Sequence, residues 1–183
     1  VQKEENKLKR ILKICNNVNG SGVIYVRNRK RTQEIAEFLM RNKISADYYH
    51  AGLNNLQREK KQFNWINNKT RVIVSTNAFG MGIDKPDVRF VAHVDLPESP
   101  EAYFQEAGRA GRDEKKAYAI LLWNYSDIID LKKNFESQYP EKEIIKKTYI
   151  ALCNYLQIAI NAGNGVTYNF DLNDFCKRFS LNA

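Results

Sequence analysis

Two hydrophobic periods alternate along the first two thirds of the chain. Residues 3–16 set Leu8, Ile11, Leu12 and Cys15 at helical spacing. Asn19-Gly20-Ser21-Gly22 breaks that helix. GVIYV follows, a short apolar run of the kind found in strands buried on both faces. Residues 29–42 return to the helical period, with Asn28 placed to cap the helix and Ile35, Phe38 and Leu39 on its inner face. The alternation then recurs. ISADYYH (44–50) reads as a strand. Asn54 with Gln57 has the signature of a capping box and opens a helix to about Asn67. RVIVST (71–76) and VRFVAHV (88–94) read as strands. Ser99-Pro100 is a helix start, and KAYAILLW (116–123) is a fifth strand. Strands alternating with helices predict an α/β fold: an open, mainly parallel sheet with helices on both faces.

From about Glu141 the pattern changes. Ile145, Tyr149, Leu152, Cys153, Leu156 and Ile160 make one long amphipathic helix. NAGNG (161–165) is a turn, VTYNF alternates like a strand, and LNDFCKRF reads as a further helix. The expected organisation is an α/β domain over residues 1–138 and a small, mostly helical accessory segment over 139–183, within which the chain stops.

The length of 183 residues suits such a domain with an appendage. A domain of this size buries roughly 70% of its unfolded surface and needs no disulfide or metal to fold. No apolar run approaches the ~20 residues of a membrane span, and VQKEENKLKR lacks the apolar core of a signal peptide. The expectation is therefore an intracellular protein with no membrane partner, cytoplasmic in a bacterium or otherwise nuclear. Opening on Val1 without an initiator methionine suggests a piece of a longer protein. Cys15, Cys153 and Cys176 are odd in number and far apart, which predicts reduced thiols. With His50 and His93 they supply no zinc-ligand spacing, so no metal site is expected. The net charge of +8 favours a polyanionic partner, most commonly nucleic acid.

Ligands of open α/β sheets gather at the carboxyl ends of strands. The unusual polar segments of this chain fall in the loops that follow its strands. RNRKR after the first strand sets Arg27, Arg29, Lys30 and Arg31 at a helix N-terminus, where the helix dipole disfavours cations. That points to phosphate contacts, although a solvated basic face would look the same. STNAFGMGIDKPD combines strand-end hydroxyls (Ser75, Thr76), permissive glycines (Gly80, Gly82) and a short acceptor, Asp84, suited to a ribose hydroxyl. Its bland alternative is a glycine-containing crossover loop with Lys85-Pro86 as a turn. In QEAGRAGRDE, Arg109 and Arg112 are three apart and would share one side of a helical turn. Guanidinium is always ionised and forks onto phosphate oxygens. Gly108 and Gly111 would be costly inside a helix unless a partner comes close. The alternative is a solvated arginine pair, or salt bridges with Glu106 or Asp113. No G-x-x-x-x-G-K-[ST] phosphate loop occurs, and no acidic metal-binding run follows a strand. The chain can assist phosphate chemistry but should not complete it.

Taken in order, these segments resemble the second RecA-like domain of RecQ-family DNA helicases in helicase superfamily two. GVIYVRNRKRTQEIAEFL resembles the family's fourth motif, YYHAGL the short motif after it, VIVSTNAFGMGIDKPDVRFVAHVDLP the fifth, and PEAYFQEAGRAGRD the sixth. The likeness runs from about Gly22 to Tyr125.

The resemblance implies an ATP-dependent DNA helicase whose first RecA-like domain, absent here, carries the phosphate loop and the Mg²⁺ ligands. Arg109 and Arg112 would reach the γ-phosphate across the cleft, and Gln105 would couple hydrolysis to movement. Asp84, Gly82 and Gly108 would lie beside the nucleotide. Arg27, Asn28, Arg29, His50, Ser75 and Thr76 would contact the DNA backbone, and translocation would run 3′ to 5′. The fragment alone is expected to be inactive. RecQ proteins commonly continue into a four-cysteine zinc module, and the isolated Cys153 and Cys176 imply a zinc-free variant built on Tyr149, Tyr155 and Phe175. Two other readings stay open: a non-catalytic nucleic-acid-binding module that kept the fold, and an RNA helicase of the same superfamily. RNA relatives usually carry HRxGRxxR where this chain has Gln105-Glu106-Ala107-Gly108-Arg109.

Overall fold

The structure is a computed structural model that describes residues 2–80 and 83–181. The chain divides into two compact units, Val1–Leu131 and Lys132–Ala183.

The first unit runs α1 (Gln2–Asn17), β1 (Ser21–Tyr25), α2 (Arg29–Arg41), β2 (Ala46–Tyr49), α3 (Asn55–Ile66), β3 (Val72–Ser75), β4 (Val88–His93), α4 (Pro100–Ala107) and β5 (Tyr118–Leu121), and it ends in the first half of α5 (Tyr125–Gln138). The strands form one sheet in the order β2-β3-β1-β4-β5, and every neighbouring pair is parallel. Chain order reverses direction at β1, which makes the β1–β4 boundary the switch point where such sheets place ligands.

Alternate side chains of the central strands point to opposite faces, and each face has its own core. Ile24, Val26, Val72, Val74, Phe90, Ala92 and Val94 pack with Ile11 and Cys15 of α1 and with Ile35, Ala36 and Leu39 of α2. Val23, Tyr25, Ile73 and Val91 point the other way, against Trp65 of α3 and against Phe79 and Ile83 of the β3–β4 loop. Continuous apolar strands are what double burial demands, and β1 is buried at every position. Gly22 is needed where β1 pairs with β4, because a β-carbon there would stand 2.1 Å from the ring of its partner Phe90.

The helix starts follow the sequence signals. Asn28 Oδ1 accepts from Lys30 N at 2.8 Å. Asn54 and Gln57 form the reciprocal capping box. Ser99 Oγ accepts from Ala102 N, with Pro100 opening α4. The sequence reading assigned nothing between Trp123 and Glu141, where α5 lies. Its start is fixed by Asn124 and Asp127: Asn124 N donates to Asp127 Oδ2 at 2.7 Å, and Asp127 N donates back to Asn124 Oδ1. An Asn-x-x-Asp box was therefore present in the sequence, but the apolar spacing behind it is weak. Lys7 of α1 ties this corner together, donating to Val94 O at 2.6 Å and to Asp127 Oδ2 at 2.7 Å.

The second unit contains α6 (Lys142–Leu156) and α7 (Leu172–Phe179). The expected long helix stops four residues short of Ile160, because Gln157 adopts a left-handed conformation with φ 55°. VTYNF forms no strand. Its alternation has no neighbouring ladder among the described residues to join, and Phe170 packs instead on Tyr155 and Phe175. Tyr155, Phe175 and Phe179 complete this aromatic cluster, with the Tyr155 hydroxyl donating to Asp174 Oδ2 at 2.7 Å. Tyr149 does not join it. It is 41% exposed, and its hydroxyl accepts from Asn161 N.

Candidate functional site

The loops after β1, β3 and β4 and the end of α4 meet at one rim of the sheet. Helix α4 stops at Ala107 with Gly108 as its C-cap. The chain then turns rather than continuing as a helix, so the expectation of two glycines inside a helix is corrected. Gly111 has φ +71°, and its N–H donates to Val88 O at 2.9 Å. A β-carbon on Gly111 would meet Lys115 O at 2.9 Å, so glycine is required by the turn itself. Asp113 docks the same loop by pairing with Arg89 and by donating its N–H to Pro86 O.

This turn places the two arginines differently. Arg109 lies partly buried across the β3–β4 loop. A β-carbon on Gly80 would stand 2.6 Å from its Nη2. Its Nη1 donates to Ile83 O at 3.4 Å, and its Nε is buried with no partner. The glycine that clears space for a guanidinium is therefore Gly80, from the facing loop. Arg112 is exposed and pairs with Asp84, Nη1 to Oδ1 at 2.6 Å, in an exposed ion pair. The alternative partners considered from the sequence are engaged elsewhere: Asp113 holds Arg89, and Glu106 holds His93. Gln105 is exposed on α4, and Gly108 is exposed at its end. Gly82 lies outside the described residues.

Beneath Arg109 is a polar cluster that sequence reasoning missed. His93, at the end of β4, is 1% exposed, and its Nε2 lies 2.8 Å from Glu106 Oε2. A carboxylate only accepts, so Nε2 carries the proton. The His93 ring stacks on Tyr25 at 5.3 Å and meets Tyr103 at 5.1 Å. The Tyr25 hydroxyl donates to Phe79 O at 2.8 Å. Burial pushes this phenol well above its ordinary range, and the Arg109 charge pulls in the opposite direction. Strand periodicity hid both groups, since Tyr25 and His93 sit at inward positions of apolar runs.

A second group gathers at the ends of β1 and β2. Asn28 caps α2. The Arg29 Nη1 and the His50 ring both lie about 3.2 Å from where a Gly52 β-carbon would stand, so both lean over bare backbone. His50 Nδ1 is buried without a partner, and the ring stacks on Tyr48. Desolvation, followed by the nearby Arg29 charge, holds the His50 pKa below its ordinary value of 6.5. The expected basic cluster is only partly free. Arg27 donates its N–H to Asp95 Oδ2 and its Nε to Leu96 O, and Arg31 also pairs with Asp95. The expected phosphate contact of Ser75 is not met by its placement: the side chain is fully buried, with Tyr49 O at 2.9 Å and Thr76 O at 2.7 Å as acceptors. Thr76 is also buried, and its hydroxyl oxygen accepts from Ala78 N.

Residues 4–114 match the family model described as the helicase conserved C-terminal domain. The chain belongs to that family. This helicase domain is 50% identical over 116 residues to the RecQ-like DNA helicase blm-1 of Caenorhabditis elegans, covering 63% of this chain and 12% of that protein. It is 40% identical over 151 residues to the ATP-dependent DNA helicase RecQ of Bacillus subtilis, covering 80% and 26%. Its fold is similar to that of an RNA helicase from Chaetomium thermophilum solved with ADP, with a TM-score of 0.61, 27% identity and coverage of 74% and 34%. The chain thus spans about an eighth to a quarter of the length of these two curated relatives. The sheet is RecA-like, as the motif order implied. Among the described residues no helix is long and apolar enough to cross a membrane.

Proposed function

We propose that this chain is the C-terminal motor domain of an ATP-dependent DNA helicase of the RecQ type. Arg109 and Arg112 face the terminal phosphate of an ATP held by a first RecA-like domain, and they offset the charge that develops as the γ-phosphoryl group leaves. ATP supplies the phosphoanhydride, and Mg²⁺, held by the first domain, acts as its Lewis acid. The side chains present here fit one end of such a nucleotide: two guanidinium groups on one loop, with a carboxylate, Asp84, beside them. Arg112 exchanges Asp84 for phosphate on domain closure, which leaves Asp84 available to a ribose hydroxyl. Gln105 lies beside the same helix end and couples closure to the nucleic-acid side. Arg29, His50 and Asn28 hold the backbone of one DNA strand, with Arg27 and Thr76 nearby. Closure on ATP and opening after hydrolysis move the domain 3′ to 5′. The accessory segment over 139–183 is a separate, zinc-free module.

The observation that carries this reading is the placement of Arg109, buried at one nitrogen yet, among the described residues, held by no carboxylate. A permanent cation left without a counter-charge in a partly buried position calls for an anion from outside. In the intact protein, Arg112→Ala should leave ATP affinity nearly unchanged and lower DNA-stimulated hydrolysis by ~10³-fold or more, as removal of an arginine finger does in GTPases. Wild-type turnover would reject the role. Residues 1–183 alone should show no ATPase activity.

RNA is the second reading, favoured by the structural likeness to an RNA helicase. Stimulation of the intact enzyme by RNA and not by DNA would select it.

A further inference from the structure

The loop that carries Arg109 and Arg112 has no helical ladder to hold it. Beyond Gly108 it turns, with left-handed residues at Gly111 and Glu114. It is fixed instead by docking onto the segment that enters β4. Gly111 N donates to Val88 O at 2.9 Å, and Asp113 N donates to Pro86 O at 3.2 Å. One guanidinium spans the same seam. Arg89 is the single position of β4 that is not buried. Its Nε donates to Asp87 O at 3.1 Å, its Nη1 to Lys116 O at 3.3 Å, and its Nη2 to Pro86 O and Asp113 Oδ1. The fork thus joins three stretches: the end of the segment that brings Asp84, the end of the loop that brings the two arginines, and the entry to β5. A planar group with five donors in a rigid fork suits such a set of acceptors, and a lysine ammonium does not. The turn before β1 makes room for it. A β-carbon on Gly20, whose φ is +106°, would stand 2.4 Å from Arg89 Cγ.

We propose that Arg89 is a positioning residue for the arginine loop, acting through Asp113 to set Arg109 and Arg112 against the segment that carries Asp84. This rests on the reading of those arginines as facing a terminal phosphate. The Arg89–Asp113 pair is shielded, with side chains 15% and 21% exposed, whereas the Arg112–Asp84 pair is open to solvent. The loop is therefore tethered at Asp113 and free to exchange partners at Arg112. Asp113 directly follows Arg112, so slack at the tether passes to the finger within one residue. Arg89 has no need to touch the nucleotide to matter. A misplacement of about 1 Å at a transferring group costs on the order of 10²-fold in rate.

The test uses the intact helicase with Asp113→Ala, which cuts the tether but leaves Arg89 its three carbonyl acceptors. Arg89→Met, Arg112→Ala and the Asp113→Ala/Arg112→Ala double variant accompany it. Asp113→Ala should lower DNA-stimulated kcat roughly 10–100-fold with little change in the KM for ATP. The affinity for ADP–aluminium fluoride, which mimics the transferring phosphoryl group, should fall by the same factor, while the affinity for a non-hydrolysable ATP analogue holds. Arg89→Met should show the same split, and if it fails to fold, Asp113→Ala alone decides. In the Arg112→Ala background, Asp113→Ala should cost clearly less than it does alone, because tether and finger act as one unit. Unchanged kcat in Asp113→Ala, or a fully additive loss in the double variant, would overturn the proposal while leaving the finger reading intact. Equal loss of affinity for both nucleotide analogues would show a tether that serves the fold alone, and the proposal would fail. Wild-type turnover in Arg112→Ala would instead remove the finger reading and this proposal with it.

Discussion

Arg109 lies across Gly80, its Nη2 2.6 Å from the position a β-carbon would occupy. The two residues come from different loops, and the contact is possible only because one of them has no side chain. Gly80→Ala would push the end of a flexible arginine, not the backbone, so the fold should absorb it. Thermal stability is expected to stay within about 0.5 kcal/mol of wild type. Turnover in the intact helicase should fall on the order of 10²-fold, because the guanidinium moves by a sizeable fraction of an ångström or more. Melting temperature and kcat measured on the same preparation check the split. Equal losses in both would show that Gly80 serves the fold alone.

Arg112 and Asp84 form an exposed pair, with side chains 41% and 78% accessible. Pairs of this kind contribute ~0–1 kcal/mol and are screened by salt, so a phosphate can displace the carboxylate readily. Asp84→Asn should therefore leave the unfolding transition almost unmoved. If the pair pre-sets Arg112 before ATP arrives, kcat should drop roughly 10-fold and more steeply at low salt, where the native pair is strongest. Turnover and denaturation curves at two ionic strengths decide this, and an unchanged kcat at both would dismiss the pre-setting role.

The sheet was legible because its strands are short apolar runs separated by cap signals. Asn28, Asn54 and Ser99 each named a helix start correctly, since a cap is a local hydrogen bond between neighbours in sequence. The site was legible by loop but not by contact. That Arg109 and Asp84 belong near one rim follows from strand ends. That Gly80 is the bed for Arg109, and that Tyr25 and His93 bridge two strand ends, depends on which strands neighbour each other, and no local pattern carries that. Ser75 shows the opposite failure: a hydroxyl at a strand end looks available until the neighbouring strand supplies acceptors for it. VTYNF had the alternation of a strand and no partner to pair with.

His50 offers a direct electrostatic test. Desolvation first, and the Arg29 charge second, lower its pKa from 6.5. A histidine with a depressed folded pKa is protonated first in the unfolded state, so stability is lost as pH falls through the unfolded value. The ring should titrate below 6.5 in an NMR pH series, and Arg29→Gln should move the midpoint upward by removing the cation. Binding of single-stranded DNA should raise it as well, because phosphate favours the charged form. A midpoint at or above 6.5 in the free protein would contradict the arrangement, and no shift with DNA would place His50 away from the strand.

Lys85 enters the sequence reading only in the bland alternative for the β3–β4 loop, as half of a Lys-Pro turn, yet the residue is only 4% exposed. Its ammonium donates to Ile66 O at 3.1 Å and Asn68 Oδ1 at 2.9 Å, and it pairs with Asp87 Oδ1 at 2.9 Å. Ile66 ends α3, so the cation sits where unpaired carbonyls and the helix dipole favour positive charge. All three ammonium protons thus have acceptors, which is the condition for burying a lysine at tolerable cost. The contact clamps the segment that carries Asp84 onto the end of α3, and the ammonium also lies 5.6 Å from the centre of the Trp65 ring. Lys85→Met keeps the aliphatic stem and removes every polar contact, leaving Ile66 O and Asn68 with fewer partners. The expected loss is about 1–3 kcal/mol of stability, read as a lower urea midpoint with an unchanged slope. Because Asp84 adjoins the clamp, kcat should also decline, with the loss growing as temperature approaches the lowered transition. A midpoint within experimental error of wild type would mean that the segment is held by the packing of Phe79 and Ile83 alone.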